Sequence, residues 1–169
     1  AMTKSPVEAR LMNKALDYLG RYAASQHRLG EVLGRFALRK LDKHDSDEIA
    51  VAISTTLKRC QKLGYLNDDA FAQNQARSHR QQGRSKVGIR QRLRQHGLND
   101  NIIDAAIDSA DQHAANGELL AACRFARRRG LGPFDHRRCN DAKNRWAVMQ
   151  RHLGSLARAG FPMAISHKV

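Results

Sequence analysis

The sequence predicts an all-α fold made of three tandem three-helix repeats in an elongated molecule. Three observations carry this reading. Apolar residues recur at three- and four-residue spacing almost throughout the 169 residues. No stretch alternates strictly between apolar and polar residues, and no hairpin turn separates two apolar runs, so strands have no signal. The pattern also repeats itself. Ser25, Leu29 and Leu33 match Ser85, Ile89 and Leu93 at an offset of 60, and Leu93, Gly97 and Leu98 match Leu156, Gly160 and Phe161 at an offset of 63. The units run over 5–62, 63–116 and 117–169. A unit of about 55 residues makes a marginal core alone. Neighbouring units are therefore expected to pack on one another, which gives the elongated form.

The elements follow in order. Val7, Leu11, Ala15, Tyr18 and Tyr22 form the first apolar stripe. Ser25 stands where an N-cap belongs, ahead of a second stripe of Leu29, Leu33 and Phe36. Ser46 is the expected cap of the third helix, with Asp47 and Glu48 suited to the positive end of its dipole and Ile49, Ile53, Leu57 and Cys60 facing inward. Gly64 is expected to close that helix in the left-handed conformation. Asn67 then caps a helix from Asp68 to about Gln82. Gly83 and Ser85 restart the pattern, Ile89 and Leu93 form the next apolar edge, and Gly97 ends it. Asn99 caps a helix that turns Ile103, Ala106, Ile107 and Ala110 inward. Another spans Glu118 to Arg129 and is broken by Gly130-Leu131-Gly132-Pro133. The last long helix holds Trp146, Met149, Leu153 and Leu156. It ends at Gly160-Phe161-Pro162, where Pro162 opens a short terminal turn.

Composition bounds the function. Leu, Ile, Val and Phe make up about a fifth of the chain, close to the range of highly charged disordered sequences, so the helical periodicity is what argues for a fold. There are 30 Lys and Arg against 16 Asp and Glu, a net charge of +14. This charge is concentrated. Residues 70–99 carry seven basic residues and no acidic one, and 121–160 carry ten basic against two acidic. The remainder is almost neutral. Like charges at this density repel one another, and a polyanion relieves that repulsion, so nucleic acid or an assembly containing it is the natural partner. The candidate contact residues in the first segment are Arg77, Arg80, Arg84, Lys86, Arg90 and Arg94. In the second they are Arg127, Arg128 and Arg129, followed by Arg137, Arg138, Lys143 and Arg145. With few carboxylates near them in sequence, these side chains are expected to point outward without internal ion pairs and to leave the fold unserved.

No catalytic constellation is legible. Gly83-Arg84-Ser85-Lys86-Val87-Gly88 is too dispersed for a phosphate-binding loop and follows no strand. Asp68 and Asp69 point about 100° apart on a helix and read as capping residues. The eight histidines are scattered and read as exposed helix-face residues. His136 and Cys139 have a metal-site spacing, but no second ligand pair lies near, so neither a metal nor another cofactor is expected. Cys60, Cys123 and Cys139 are odd in number and far apart, as reduced thiols would be. No run reaches membrane-spanning length, and Ala1 to Arg10 has no apolar signal core, so a cytoplasmic location is the expectation.

At this point the residues resemble a family. Gly64-Tyr65-Leu66-Asn67-Asp68-Asp69-Ala70-Phe71-Ala72 is similar to the "GYLDD-x-FA" signature of the RecX regulatory proteins, with Asn67 where the family usually has Asp. Ala15-Leu16-Asp17-Tyr18-Leu19 with Arg21 and Ser25 resembles the start of its first repeat. Gly83, Ile89, Leu93 and Gly97-Leu98 resemble its second, and Leu156-Ala157-Arg158-Ala159-Gly160-Phe161 its third, with Ala159 where a second arginine is common. Arg127 to Phe134 resembles a variant of alphaproteobacterial members. The resemblance implies an elongated, curved molecule of three three-helix repeats, acting as a monomer and without enzymatic activity. It implies binding to the filament of the RecA recombinase on single-stranded DNA, with inhibition of its ATPase, strand-exchange and co-protease activities. The alternative is a DNA-binding regulator with helix-turn-helix-like units, in which the helices at 85–96 and 141–159 enter a major groove. Against it, these helices offer many arginines and few grouped Asn or Gln for reading bases.

Overall fold

The computed structural model describes residues 5–41, 44–112, 114, 116–136 and 142–169, the side chains of Ala142 and Lys143 excepted. The helices are α1 (Pro6–Leu19), α2 (Gln26–Lys40), α3 (Ser46–Lys62), α4 (Asp68–Gln81), α5 (Lys86–Gln95), α6 (Asp100–Asp111), α7 (Gly117–Arg129), α8 (Ala142–Arg158) and α9 (Met163–Ser166). One 3-10 turn, Gly132–Phe134, lies between α7 and α8. Among the described residues there is no strand, and no helix is long and apolar enough to cross a membrane. Helices end at the predicted Gly64, Gly97, Gly130 and Gly160, each with positive φ, whereas the α2–α3 and α6–α7 breaks fall where no glycine break is predicted. The chain divides into two compact units, Ala1–Phe71 with His96–Asn99 and Ala72–Gln95 with Asp100–Val169.

In the first unit α1, α2 and α3 share one core, centred on Leu11, Ala15, Leu29, Leu33 and Cys60. Tyr22 lies beyond the end of α1 and is 58% exposed, so the predicted stripe stops at Tyr18. On α3 the fully buried line is Ala52, Thr56 and Cys60, and the larger Ile49, Ile53 and Leu57 flank it half-buried. Small side chains occupy the line of closest helix approach, and Thr56 satisfies its hydroxyl by donating to the Ala52 carbonyl at 2.8 Å. The α3 cap is Asp45, not Ser46. Its carboxylate accepts from the Asp47 and Glu48 amides at 3.2 and 3.4 Å, and a charged acceptor outcompetes the neighbouring hydroxyl. Gly64 has φ +77° as expected. Behind it the Tyr65 and Leu66 amides donate back to the Cys60 carbonyl and bury Leu66. The Cys60 thiol sits 3.9 Å from the Met12 sulfur, and burial pushes its pKa up.

In the second unit Ala121, Ala122, Ala126, Leu131, Leu156 and Phe161 form a core for α7, α8 and α9. Ile89 and Leu93 of α5, with Ile103, Ala106 and Ile107 of α6, are also buried. On α8 Leu153 and Leu156 are buried, whereas Trp146 and Met149 are exposed. His152 departs from the exposed position expected of it. It is largely buried, accepts from the Gly132 amide at 3.0 Å through Nδ1 and lies 3.1 Å from the Asp135 carboxylate through Nε2.

Candidate nucleic-acid interface

The site begins with a serine. Ser85 precedes α5 and is wholly buried. Its hydroxyl accepts from the Gly88 amide at 3.1 Å, which caps the helix, and donates to the Ala159 carbonyl at 2.5 Å. Glu118 of α7 completes the cap by accepting from the Lys86 amide at 3.2 Å. The approach depends on glycine. Gly160 has φ +85°, and a Cβ there would stand 2.8 Å from Ser85 Oγ. Serine, carboxylate and glycine together seat the start of α5 against α7 and the end of α8.

Beside this joint lies a cleft of about 620 Å³. Arg84, Arg92, Arg128, Arg129 and Arg158 line it together with Gln91, Gln95, Ser155 and Phe125, and no carboxylate does. The guanidinium carbons of Arg128 and Arg129 stand 5.8 and 5.9 Å from the centre of the Phe125 ring. Arg128 also donates to the Gln82 carbonyl. Arg84 Nε is buried and has no hydrogen-bond partner. Burial, and then repulsion from Arg92 and Arg128, hold the Arg84 guanidinium below its ordinary pKa.

The predicted basic residues separate into distinct groups. Arg84, Arg128 and Arg129 line the cleft. Arg80 does not face outward. It is 4% exposed, its Nε and Nη2 donate to Asp111 at 2.9 and 2.7 Å, and its Nη1 donates to Glu118 at 2.7 Å and to the Arg84 carbonyl at 3.0 Å. Lys86 Nζ lies 3.4 Å from the same Asp111. Arg90 pairs with Asp104, and Arg94 with Asp100 at 2.8 and 3.0 Å, on the α5–α6 hairpin. The expectation that these cations lack internal partners is corrected for all four. Asp100, Asp104, Asp111 and Glu118 lie outside the carboxylate-free stretch, and the turns return them to it. Arg77, Arg127 and Arg145 are exposed, and Arg145 lines a separate pocket beside His152. Arg137 and Arg138 lie outside the described residues, as does the Lys143 side chain. Two cleft residues, Arg92 and Arg158, were not among the candidates. The spacing of Gly88, Arg92 and Gln95 along one face of α5 is the signal that points to the first.

Comparison with known proteins places this architecture. A family model described as "RecX, second three-helix domain" matches residues 67–107, which span α4, α5 and most of α6. The regulatory protein RecX of Myxococcus xanthus is 35% identical over 161 residues, covering 94% of this chain and 83% of the relative. The chain belongs to the RecX family. The regulatory protein RecX of Agrobacterium fabrum is 27% identical and covers 93% of this chain and 79% of its own. RecX from Lactobacillus salivarius has the same fold, with a TM-score of 0.68 at 20% identity over 96% of this chain and 93% of that structure. In this RecX-family member the segment matched by the domain model contributes Arg84 and Arg92 to the cleft, and α7 and α8 contribute the other three arginines.

Proposed function

We propose that this RecX-family protein is a non-enzymatic regulator of a recombinase filament. It binds RecA assembled on single-stranded DNA and lowers the ATPase, strand-exchange and co-protease activities of that filament. The similarity to a protein named regulatory protein RecX over 94% of the chain carries this reading. The three helix triplets, 5–62, 63–116 and 117–169, act as successive repeats of a monomer that works in the cytoplasm. Arg77, Arg84, Arg127, Arg128, Arg129 and Arg145, with Arg137, Arg138 and Lys143, contact phosphate or acidic groups of the filament. Arg80 leaves this set because it holds Asp111 and Glu118. Lys86, Arg90 and Arg94 take part only where filament groups displace their carboxylate partners. A duplex reader is less well supported, because two exposed arginines of α5 are already paired with α6. The test is a titration of the protein into RecA with single-stranded DNA. Progressive loss of ATP hydrolysis is the expected result, and unchanged hydrolysis at saturating protein removes the reading.

A further inference from the structure

We propose that the arginine cleft of the second unit, formed by Arg84, Arg92, Arg128, Arg129 and Arg158, binds consecutive phosphodiesters of a single nucleic-acid strand. This deepens the reading above and rests on it for the source of the strand.

The joint does not need these arginines. Sixty residues earlier, Ser25 makes the same joint in the first unit. Its hydroxyl accepts from the Arg28 amide at 3.2 Å and donates to the His96 carbonyl at 2.6 Å, beside Gly97. At the positions of Arg84 and Arg92 that joint has Ala24 and Val32. At the positions of Gly88 and Gln91 it has Arg28 and Glu31, which pair at 2.7 Å. The concavity beside the first joint is lined in part by Gln26, His27, Glu31 and Asp68, so the same backbone device stands once beside a lining with two carboxylates and once beside a cationic lining with none. The second lining answers a requirement other than packing.

The cationic lining is also costly to the free protein. Five guanidinium groups share the cleft without a carboxylate, although the chain has 16 acidic residues. Among the described residues Arg84, Arg92 and Arg158 make no ion pair. The buried Arg84 Nε has no acceptor, a rare condition for a native polar group. Anionic oxygens entering the cleft supply that acceptor and relieve the repulsion.

Shape selects the anion. The cleft lies within the roughly 300–1,000 Å³ of ligand sites and is larger than one phosphate requires. Cations spread around it suit several phosphates in series, and guanidinium forks recognise phosphate oxygens in pairs. A flexible single strand can bend into a concavity between helices, whereas duplex DNA, stiff over about 150 base pairs, cannot. The Phe125 ring flanked by two arginines adds the aromatic and cationic surface on which single strands pack.

Fluorescence anisotropy with a labelled oligodeoxythymidine of about 20 nucleotides, longer than the usual single-strand site, tests this. Wild type is compared with Arg92→Glu plus Arg158→Glu and with an equal reversal elsewhere, Arg10→Glu plus Arg59→Glu, at about 50 mM salt. Melting curves of each variant verify folding, and Arg92→Gln plus Arg158→Gln replaces the reversal if it does not fold. The cleft variant is expected to bind at least about tenfold more weakly and with a shallower salt dependence, and the control within about threefold of wild type. Equal losses in both variants, or no loss in the cleft variant, overturn the assignment. Duplex bound through the cleft as tightly as single strand, or displacement of the oligomer by inorganic tripolyphosphate at equal phosphate concentration, also overturns it. The same variants in the RecA titration separate the two claims. Strand binding retained while inhibition is lost assigns the cleft to acidic protein groups and leaves the filament reading standing. Strand binding lost in the variant, with no effect of wild type on the filament, leaves the cleft assigned and removes the filament reading.

Discussion

Two joints in this molecule use the same backbone chemistry and surround it differently. In the first unit Ser25 reaches the His96 carbonyl at the Gly97 turn, and Asp68 accepts from the Gln26 amide at 2.8 Å. In the second, Ser85 reaches the Ala159 carbonyl at the Gly160 turn, and Glu118 accepts from the Lys86 amide. Each joint has one buried serine, one carboxylate from the start of a following helix and one left-handed glycine. Beside the first lie Glu31 and Asp68, with Ala24 and Val32 at the sequence positions of Arg84 and Arg92, and beside the second lie five arginines. The repeated fold therefore resides in a few small hydrogen-bonded residues, and the surface beside them is free to diverge.

The strongest way to sharpen this comparison is Arg80→Ala. Glu118 is a capping carboxylate in a largely buried site and shares Arg80 with Asp111. Among the described residues no arginine bonds to its counterpart, Asp68. Removing Arg80 leaves Glu118 without a charged partner among the described residues and Asp111 with Lys86 alone, and should cost about 3–5 kcal/mol by chemical denaturation. A melting curve like wild type would place that network outside the stabilising structure.

Gly97→Val and Gly160→Val test whether the turns are equivalent. Both glycines have positive φ, and an added Cβ would overlap the Cβ of His27 at Gly97 and stand 3.1 Å from that of Val87 at Gly160. Left-handed strain and crowding together should cost about 2–5 kcal/mol at each position. A loss at one alone breaks the comparison. Ser25→Ala and Ser85→Ala should each cost about 1–3 kcal/mol, since each removes a cap and strands a carbonyl. Arg84→Ala installs in the second joint the residue that the first already has. It should change stability by less than about 0.5 kcal/mol or raise it, while weakening strand binding.

The smallest effect concerns the α5–α6 hairpin. The Arg94 guanidinium, through its hydrogen bond, holds the exposed Asp100 carboxyl below its ordinary pKa of 3.8. A carboxyl lowered on folding contributes stability above its unfolded value and loses it as pH falls through the folded one. Arg94→Gln should therefore flatten the acid limb of the stability curve slightly, and salt should shrink the difference.

Much of the fold was legible because glycines, caps and helical spacing are local signals. The Ser25 and Ser85 match at an offset of 60 already contained both joints, although nothing in it named the carbonyl each hydroxyl would meet. Asp68 read as a cap, correctly in kind, but the amide that it serves is on another helix, at Gln26. The site was less legible for a related reason. Residues 70–99 lack carboxylates in sequence, but the chain turns back and places Asp100, Asp104, Asp111 and Glu118 against them. Which arginines stay unpaired is decided by those turns and not by local composition. The Asp45 cap and the small-residue line on α3 show the same limit on a finer scale, because in each two adjacent choices compete and geometry selects between them.

Cys60 gives the first unit a built-in reporter. Its thiol is fully enclosed among α1, α2 and α3, against the Met12 sulfur, and burial disfavours the reactive thiolate. An alkylating reagent can reach it only during an opening of that helical core. When reclosing outruns alkylation, the rate of modification measures the equilibrium population of the opened first unit. Cys123, half-buried on α7, lies in the other unit. Mass spectrometry of peptides from a single labelling reaction would therefore time the breathing of the first core against the accessibility of a thiol in the second, with no engineered probe.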